Sequence, residues 1–242
     1  MLVLISAGLY ELKDMSIKAR DIAKKCDILY LESYTNYLHF TPKELEEFLN
    51  KKIIILNREG LETKSSKILS EAQSKVVGIL ISGSALVATT HYHLISKAKK
   101  KRIKTKIVHG SSIFTAITEI GLSIYNFGKT TSIPFNNKNL KSPYQTFQLN
   151  QKQGMHTLFL LDLDPENNKF LSITQALTYL KDNGLKENTL VIGCARIGSD
   201  NQKIKAGKLK DILNFNFGKP PYCVIVPGKL HFIEEEALNL WK

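Results

Sequence analysis

The sequence predicts an α/β protein made of two α/β domains of similar size, with a ligand cleft between them. Three observations carry that prediction. Through the first half, short apolar runs alternate with stretches of helical periodicity, the pattern of a parallel sheet with helices on both faces. Across 121–129 ("GLSIYNFGK") this pattern breaks and then restarts. Small-residue turns follow predicted strands in both halves, at 6–9, 83–87, 110–113 and 195–198.

Taken in order, the first strand is expected at 2–6 ("LVLIS"), with further strands at 27–31, 52–56, 76–82 and 106–108. Helices are expected between them at 16–25, 42–49, 61–73, 92–101 and 112–120. Ser111 or Ser112 is expected to cap the last of these, because both precede an apolar periodic run. The junction falls near 126–129, giving domains 1–127 and 128–242. Beyond it come a strand at 130–135, a helix at 143–153, a long buried strand at 156–164 ("HTLFLLDLD") and a helix at 173–181. A strand at 189–195, a helix at 206–215, a strand at 222–227 and an amphipathic helix at 231–240 close the chain.

Composition limits the class. The 242 residues can bury a real core, and 43% hydrophobic with 23% charged residues is ordinary for a soluble globular protein. No apolar run approaches the ~20 residues of a membrane span. The opening "MLVLISAGLYELKD" has neither a basic leader nor a cleavage signature, so it reads as a buried strand. Cys26, Cys194 and Cys223 stand singly on or beside predicted core elements, which favours neither disulfides nor a zinc site and points to a cytoplasmic protein. The formal charge is +12, and seven of the ten residues 97–106 ("KAKKKRIKTK") are basic. Such a patch attracts RNA or an acidic protein. With no aromatic residue interleaved for base stacking, the solvated helix end is the reading taken, and a nucleic-acid partner is not expected.

The turns are the candidate functional features. "ISGSALVATTH" (81–91) ends a strand in small residues, yet it has no phosphate-loop lysine, no G-x-G-x-x-G and no charged anchor. In an open α/β sheet, strand C-termini line the ligand crevice. Glycine and serine there let backbone groups face a ligand directly. Any one such turn is an ordinary connector; four together, spread over both halves, point to a cleft.

An ordered set of stretches adds more: "AGLYELKDMSIKARDIAKKCD", "YLESYT", "ALVATTH", "VHGSSI", "GMHTLFLLDLD", "ARIGSDNQKIKAGKL" and "VPGKLHFIE". On these the chain resembles the diphthine synthase family of the tetrapyrrole-methylase-like methyltransferases across nearly its whole length. The resemblance implies S-adenosylmethionine as cofactor, a sulfonium carrying no phosphate, folded between the two domains. It places Leu9, Ser84, Val87, Ser112, Ile113, Leu161, Ile197 and Tyr222 against that cofactor. It also implies translation elongation factor 2 as the protein substrate, methylation of an amino group on its modified histidine, and a homodimer. Three departures stand out. Gly83-Ser84-Ala85 replaces the usual Gly-Asp-Pro, Tyr222 replaces a usual histidine, and Ser6-Ala7-Gly8-Leu9 replaces Gly-Leu-Gly-Leu. A hydroxyl in place of a carboxylate implies weaker cofactor binding.

The methyl-accepting amine must lose a proton. His91, His109 and Glu32 are the candidate acceptors, each with a structural alternative; for Glu32 this is a surface salt bridge. Tyr10, Tyr34 and Tyr92 offer rings to a cation or simply pack. Asp162 and Asp164 gather no partner ligands nearby in sequence, so no metal is expected.

Overall fold

Strand β1 (Leu2–Ser6) is buried at every residue, and its side chains divide between two cores. Leu2 and Leu4 face one way; Val3 and Ile5 face the other. A strand apolar on both faces must be covered on both faces, and here it is. The structure, a computed structural model, describes residues 1–35, 37–63 and 65–242. These form two compact units, Met1–Ile113 and Phe114–Lys242.

The first unit is a five-stranded sheet, entirely parallel. It comprises β1, β2 (Ile28–Glu32), β3 (Ile54–Leu56), β4 (Val77–Ile81) and β5 (Thr105–Val108), in the order β3-β2-β4-β1-β5. Helices α1 (Ile17–Lys25) and α2 (Pro42–Leu49) cover one face, burying Ala19, Ala23, Leu45 and Leu49 with Val3, Ile5, Leu29, Leu31 and Leu80. The opposite face packs α3 (Ser66–Ser74) and α4 (Tyr92–Lys100) through Ile68, Leu69, Ala72, Leu94, Ile95 and Ala98. Local chemistry starts the helices where the sequence signals them. The Ser16 hydroxyl accepts from Ala19 N–H, and Thr41 with Glu44 forms a capping box ahead of Pro42. The predicted helix 61–73 begins later, at Ser66, behind a single π turn at Glu59–Thr63; Lys64 within it lies outside the described residues.

The predicted helix 112–120 is two pieces, α5 (Ile113–Ala116) and a 3-10 turn at Ile117–Ile120, stopped by Gly121 at φ 93°. The sequence junction at 127/128 and the 113/114 division differ by a segment whose partners lie in the second unit. Trp241 donates to the Ile120 carbonyl, and Glu234 accepts from Ser123 N–H.

In the second unit β6 (Thr131–Ile133) and β7 (Thr157–Leu161) run parallel. With β10 (Leu190–Ala195), β11 (Lys203–Lys208) and β12 (Tyr222–Val226) they form a sheet of order β11-β10-β12-β7-β6, otherwise antiparallel. Phe159, Leu161, Val191, Val224 and Val226 of the sheet form one core with Phe147 of α6 (Ser142–Lys152), with Ala176, Leu177 and Leu180 of α7 (Ile173–Asp182), and with Leu209 and Ile212 of α8 (Leu209–Ile212). The chain ends in α9 (Phe232–Asn239).

Two sequence expectations are corrected here. The predicted helix 206–215 is in fact the second half of β11 followed by the single turn α8. Residues 203–208 ("KIKAGK") alternate with period two, and pairing to β10 from Leu190↔Lys208 to Ala195↔Lys203 overrides any helical preference. The predicted strand 156–164 stops at Leu161, because the Asp162 carboxylate accepts from Phe135 N–H and Leu163 N–H and turns the chain into the short β8 (Leu163–Asp164) and β9 (Lys169–Phe170) hairpin. All three cysteines are buried free thiols, and burial pushes Cys26 up to about 11. No helix among the described residues is long and apolar enough to cross a membrane.

At the start of β7 a buried polar cluster ties α9 to the segment before β6. Gly228 N–H donates to His156 Nδ1 at 2.9 Å, which leaves the ring proton on Nε2, facing Glu234 Oε1 at 3.2 Å. Glu234 also accepts from Ser123 N–H, His231 N–H and the Asn126 amide. Burial alone would push this carboxyl up; the four hydrogen bonds outweigh it and hold it at about 2, against an ordinary 4.5. A depressed carboxyl stabilises the fold above its unfolded value, and that contribution disappears as pH falls from about 4.5 to about 2. Glu234→Gln is therefore expected to remove about 3 kcal/mol at neutral pH and to flatten the acid limb of the stability curve, measured by urea unfolding between pH 7 and 2.5.

Candidate functional site

Because β4, β1 and β5 are adjacent and parallel, the turns after them leave one end of the first sheet side by side. They interlock. Ala7 N–H donates to the Ile81 carbonyl at 2.8 Å, Gly83 N–H to the Gly8 carbonyl at 2.6 Å, and Ala85 N–H to the Ser6 hydroxyl at 3.0 Å. Glycine is required at two of these points. Gly8 sits at φ 98°, where a Cβ would stand 2.6 Å from the Asp14 backbone, and a Cβ on Gly110 would stand 2.7 Å from Ser6 Cβ. The Asp14 carboxylate fixes the first turn by accepting from Tyr10 and Glu11 N–H at 2.7 and 2.9 Å.

This arrangement brings five of the expected cofactor residues to one edge: Leu9 in the first turn, Ser84 and Val87 in the second, Ser112 and Ile113 in the third. Leu9, Ser84, Val87 and Ile113 keep part of their surface exposed, while Ser112 is buried. The surface they build is main chain, small hydroxyls and aliphatic carbon. That suits a ligand recognised by shape and neutral hydrogen bonds rather than a phosphate, which would call for basic side chains or a helix N-terminus.

The three candidate proton acceptors separate clearly. Glu32, at the end of β2, is 1% exposed and accepts from the N–H groups of Tyr34 and Thr35, both at 2.6 Å, and from the Thr35 hydroxyl. Among the described residues it joins no salt bridge, and its hydrogen bonds organise the chain after β2. His91 is fully buried, with Nδ1 3.4 Å from the Ala85 carbonyl, so it braces the second turn from behind. His109 is exposed beside the third turn. Of the tyrosines, Tyr10 stacks on His39 at 3.5 Å, Tyr34 lies under the Arg58 guanidinium at 5.2 Å, and Tyr92 is largely exposed at the start of α4. The Tyr10–His39–Tyr37 group was not singled out from sequence; its signal is the aromatic-rich "YTNYLHF" directly after a strand.

In the second unit, strand register gathers Leu161, Ile197 and Tyr222 at one sheet end. Ala195 pairs with Tyr222, and Cys223 with Leu160, so the C-termini of β7 and β10 meet the N-terminus of β12. Leu161 and Ile197 are buried, and Tyr222 is half-buried. Arg196, a residue sequence reasoning passed over except as part of its turn, holds this end together. It is buried at φ 54°, and its guanidinium donates to the carbonyls of Asn201, Phe217 and Lys219 while its N–H donates to Pro221. The Tyr222 hydroxyl donates to the Gly218 carbonyl. Burial raises the Tyr222 phenol above its ordinary 10, with Arg196 opposing. Asp162 and Asp164 are occupied with backbone N–H groups, and no metal-holding group of three His, Cys, Asp or Glu occurs among the described residues.

Comparison with known proteins places this geometry in a family. A family described as tetrapyrrole (corrin/porphyrin) methylases matches residues 1–213. Curated relatives include the diphthine synthase of Methanococcus maripaludis, 42% identical over 99% of this chain and 98% of that one. That of Methanocaldococcus jannaschii is 41% identical over the same shares. Among solved structures, a crystal structure of diphthine synthase superposes with a TM-score of 0.94 at 33% identity, covering 99% of this chain and 95% of that one. A putative diphthine synthase from Entamoeba histolytica gives a TM-score of 0.89 at 34% identity, covering 100% and 98%. The chain belongs to the diphthine synthase family of the tetrapyrrole methylases.

Proposed function

We propose that this chain is an S-adenosylmethionine-dependent methyltransferase of diphthamide biosynthesis. Its substrate in this reading is translation elongation factor 2 bearing an amino-carboxypropyl-modified histidine, and the amino group of that modification is methylated. The observation that carries the reading is identity above 40% to diphthine synthases over 99% of the chain.

The residues at hand fit the cofactor. Leu9, Ser84, Val87, Ser112 and Ile113 on the first unit would hold it through main-chain edges, small hydroxyls and aliphatic contacts; Leu161, Ile197 and Tyr222, which the family resemblance also assigns to it, lie together at one sheet end of the second unit. S-adenosylmethionine supplies a methyl group on a sulfonium, an excellent leaving group, so alignment of donor and amine accounts for much of the acceleration and no protein nucleophile is needed. The chain's remaining task is the proton on the amine. Glu32 and His91 are buried and committed to backbone groups, which leaves His109, exposed beside the third turn, as the acceptor. A homodimer belongs to this reading; exposed Tyr125, Phe232, Ile233 and Leu240 on the second unit offer apolar surface for it.

Mass spectrometry of precursor-bearing elongation factor 2 after incubation with cofactor is the direct test. Added mass of one to three methyl groups on the modified histidine is expected; methyl label entering only ribosomal RNA overturns the assignment. Ser84→Asp restores a charged partner in the second turn and is expected to tighten cofactor binding by about fivefold in calorimetry, about 1 kcal/mol. Gly110→Ala drives a methyl group into Ser6 and is expected to weaken cofactor binding tenfold or more while circular dichroism stays unchanged.

A further inference from the structure

The sequence concentrates its charge at 97–106, but the fold adds to that patch from three other places. All strands of the first sheet are parallel, so every helix-to-strand connection returns to the same end, opposite the three ligand turns. The end of α1 before β2 carries Lys24 and Lys25, the connection into β3 Lys51 and Lys52, and that into β4 Lys75; the run 97–106 leads into the edge strand β5. Nearly all of these side chains are exposed. Five strands at ~4.8 Å make this basic edge about 19 Å long.

Carboxylates at this end do little to neutralise it. Asp27 accepts the Val76 N–H, and Glu46 accepts the Ile53 N–H and pairs with Lys52 at 3.3 Å. Helix dipoles favour a cation in each last turn. They do not account for Lys51, Lys52 and Lys75, which lie past the last turns of α2 and α3, or for Lys104 and Lys106. Between the ends of α3 and α4 the surface is concave, with a cavity of about 400 Å³ lined by Gln73, Lys101, Arg102 and Lys104.

We propose that this edge is a docking surface for the phosphodiester backbone of a nucleic-acid duplex, separate from the methyl-transfer end. The composition decides between polyanions. Interfaces with folded proteins are depleted in lysine and centre on aromatic or aliphatic residues, and these connections expose lysines without such a centre. Lysine point charges in a row are what phosphates take. The lack of exposed aromatics among them disfavours single strands, which need stacking platforms.

Fluorescence anisotropy of the full-length protein with 20-base-pair RNA and DNA duplexes, from 50 to 200 mM salt, tests this. The two arms separate a preference for either duplex from binding to both. Binding in the micromolar to tens-of-micromolar range at 50 mM salt is expected, weakening steeply as salt rises. Replacing Lys25, Lys99, Lys100 and Lys104 by Gln should weaken binding tenfold or more and reduce the logarithmic salt slope by about 3.6, at ~0.9 per lost phosphate contact. Replacing the equally exposed Lys138, Lys141, Lys186 and Lys210 should change it less than twofold. Thermal melts of both variants and methyl transfer by the first should match the parent. Equal losses in the two variants, displacement of duplex by polyglutamate at equal charge, or no binding at 50 mM salt would each overturn the proposal.

Discussion

Five strands running in one direction give the first unit two chemically different ends, and the arrangement of turns and charges on that unit follows from that polarity. At the C-terminal end, three adjacent strands release their turns together. At the N-terminal end, the returning connections collect lysines. Antiparallel pairing would have mixed the two sets. The strands tolerate this only because each is apolar on both sides and has helices to cover both, which is why Leu2 and Leu4 join one core while Val3 and Ile5 join the other.

The ligand end is built by subtraction. Gly8 and Gly110 leave out side chains where the chain packs closely against Asp14 and Ser6, and Ser6 bridges two of the turns with its hydroxyl. What remains exposed is backbone and short side chains, while the ionisable groups nearby, Glu32 and His91, are turned inward to hold loops. A site of this kind gets its precision from second-layer hydrogen bonds rather than from charged contacts. The same logic appears on the second unit, where Arg196 positions the turn carrying Ile197 and the approach to Tyr222.

Much of this was legible in the sequence. The apolar runs gave every strand of the first sheet to within two residues, and helical periodicity placed α1 and α2 to within one residue. What failed did so where long-range pairing decides. "KIKAGK" is short, lysine-rich and next to an apolar segment, so its strand character exists only against β10. The break at Asp162 depends on a backbone group of Phe135, which no local window contains. Among site residues, the expected turns emerged as neighbours because strand order makes them so. His91 takes the structural role weighed for it, whereas the buried role of Glu32 was missed because burial cannot be read from residue type. Arg196 escaped notice for the related reason that its carbonyl partners are up to 23 residues away.

Those carbonyls carry one more implication. A permanent cation is satisfied here without any carboxylate among the described residues, by three carbonyl oxygens drawn from two separate stretches of chain. Loops fastened to a single hub cannot drift independently, so a lineage that alters one of them must adjust the others or surrender the arginine. Transplanting this corner into a related scaffold would accordingly succeed only if 196–202 and 216–222 travelled as a unit.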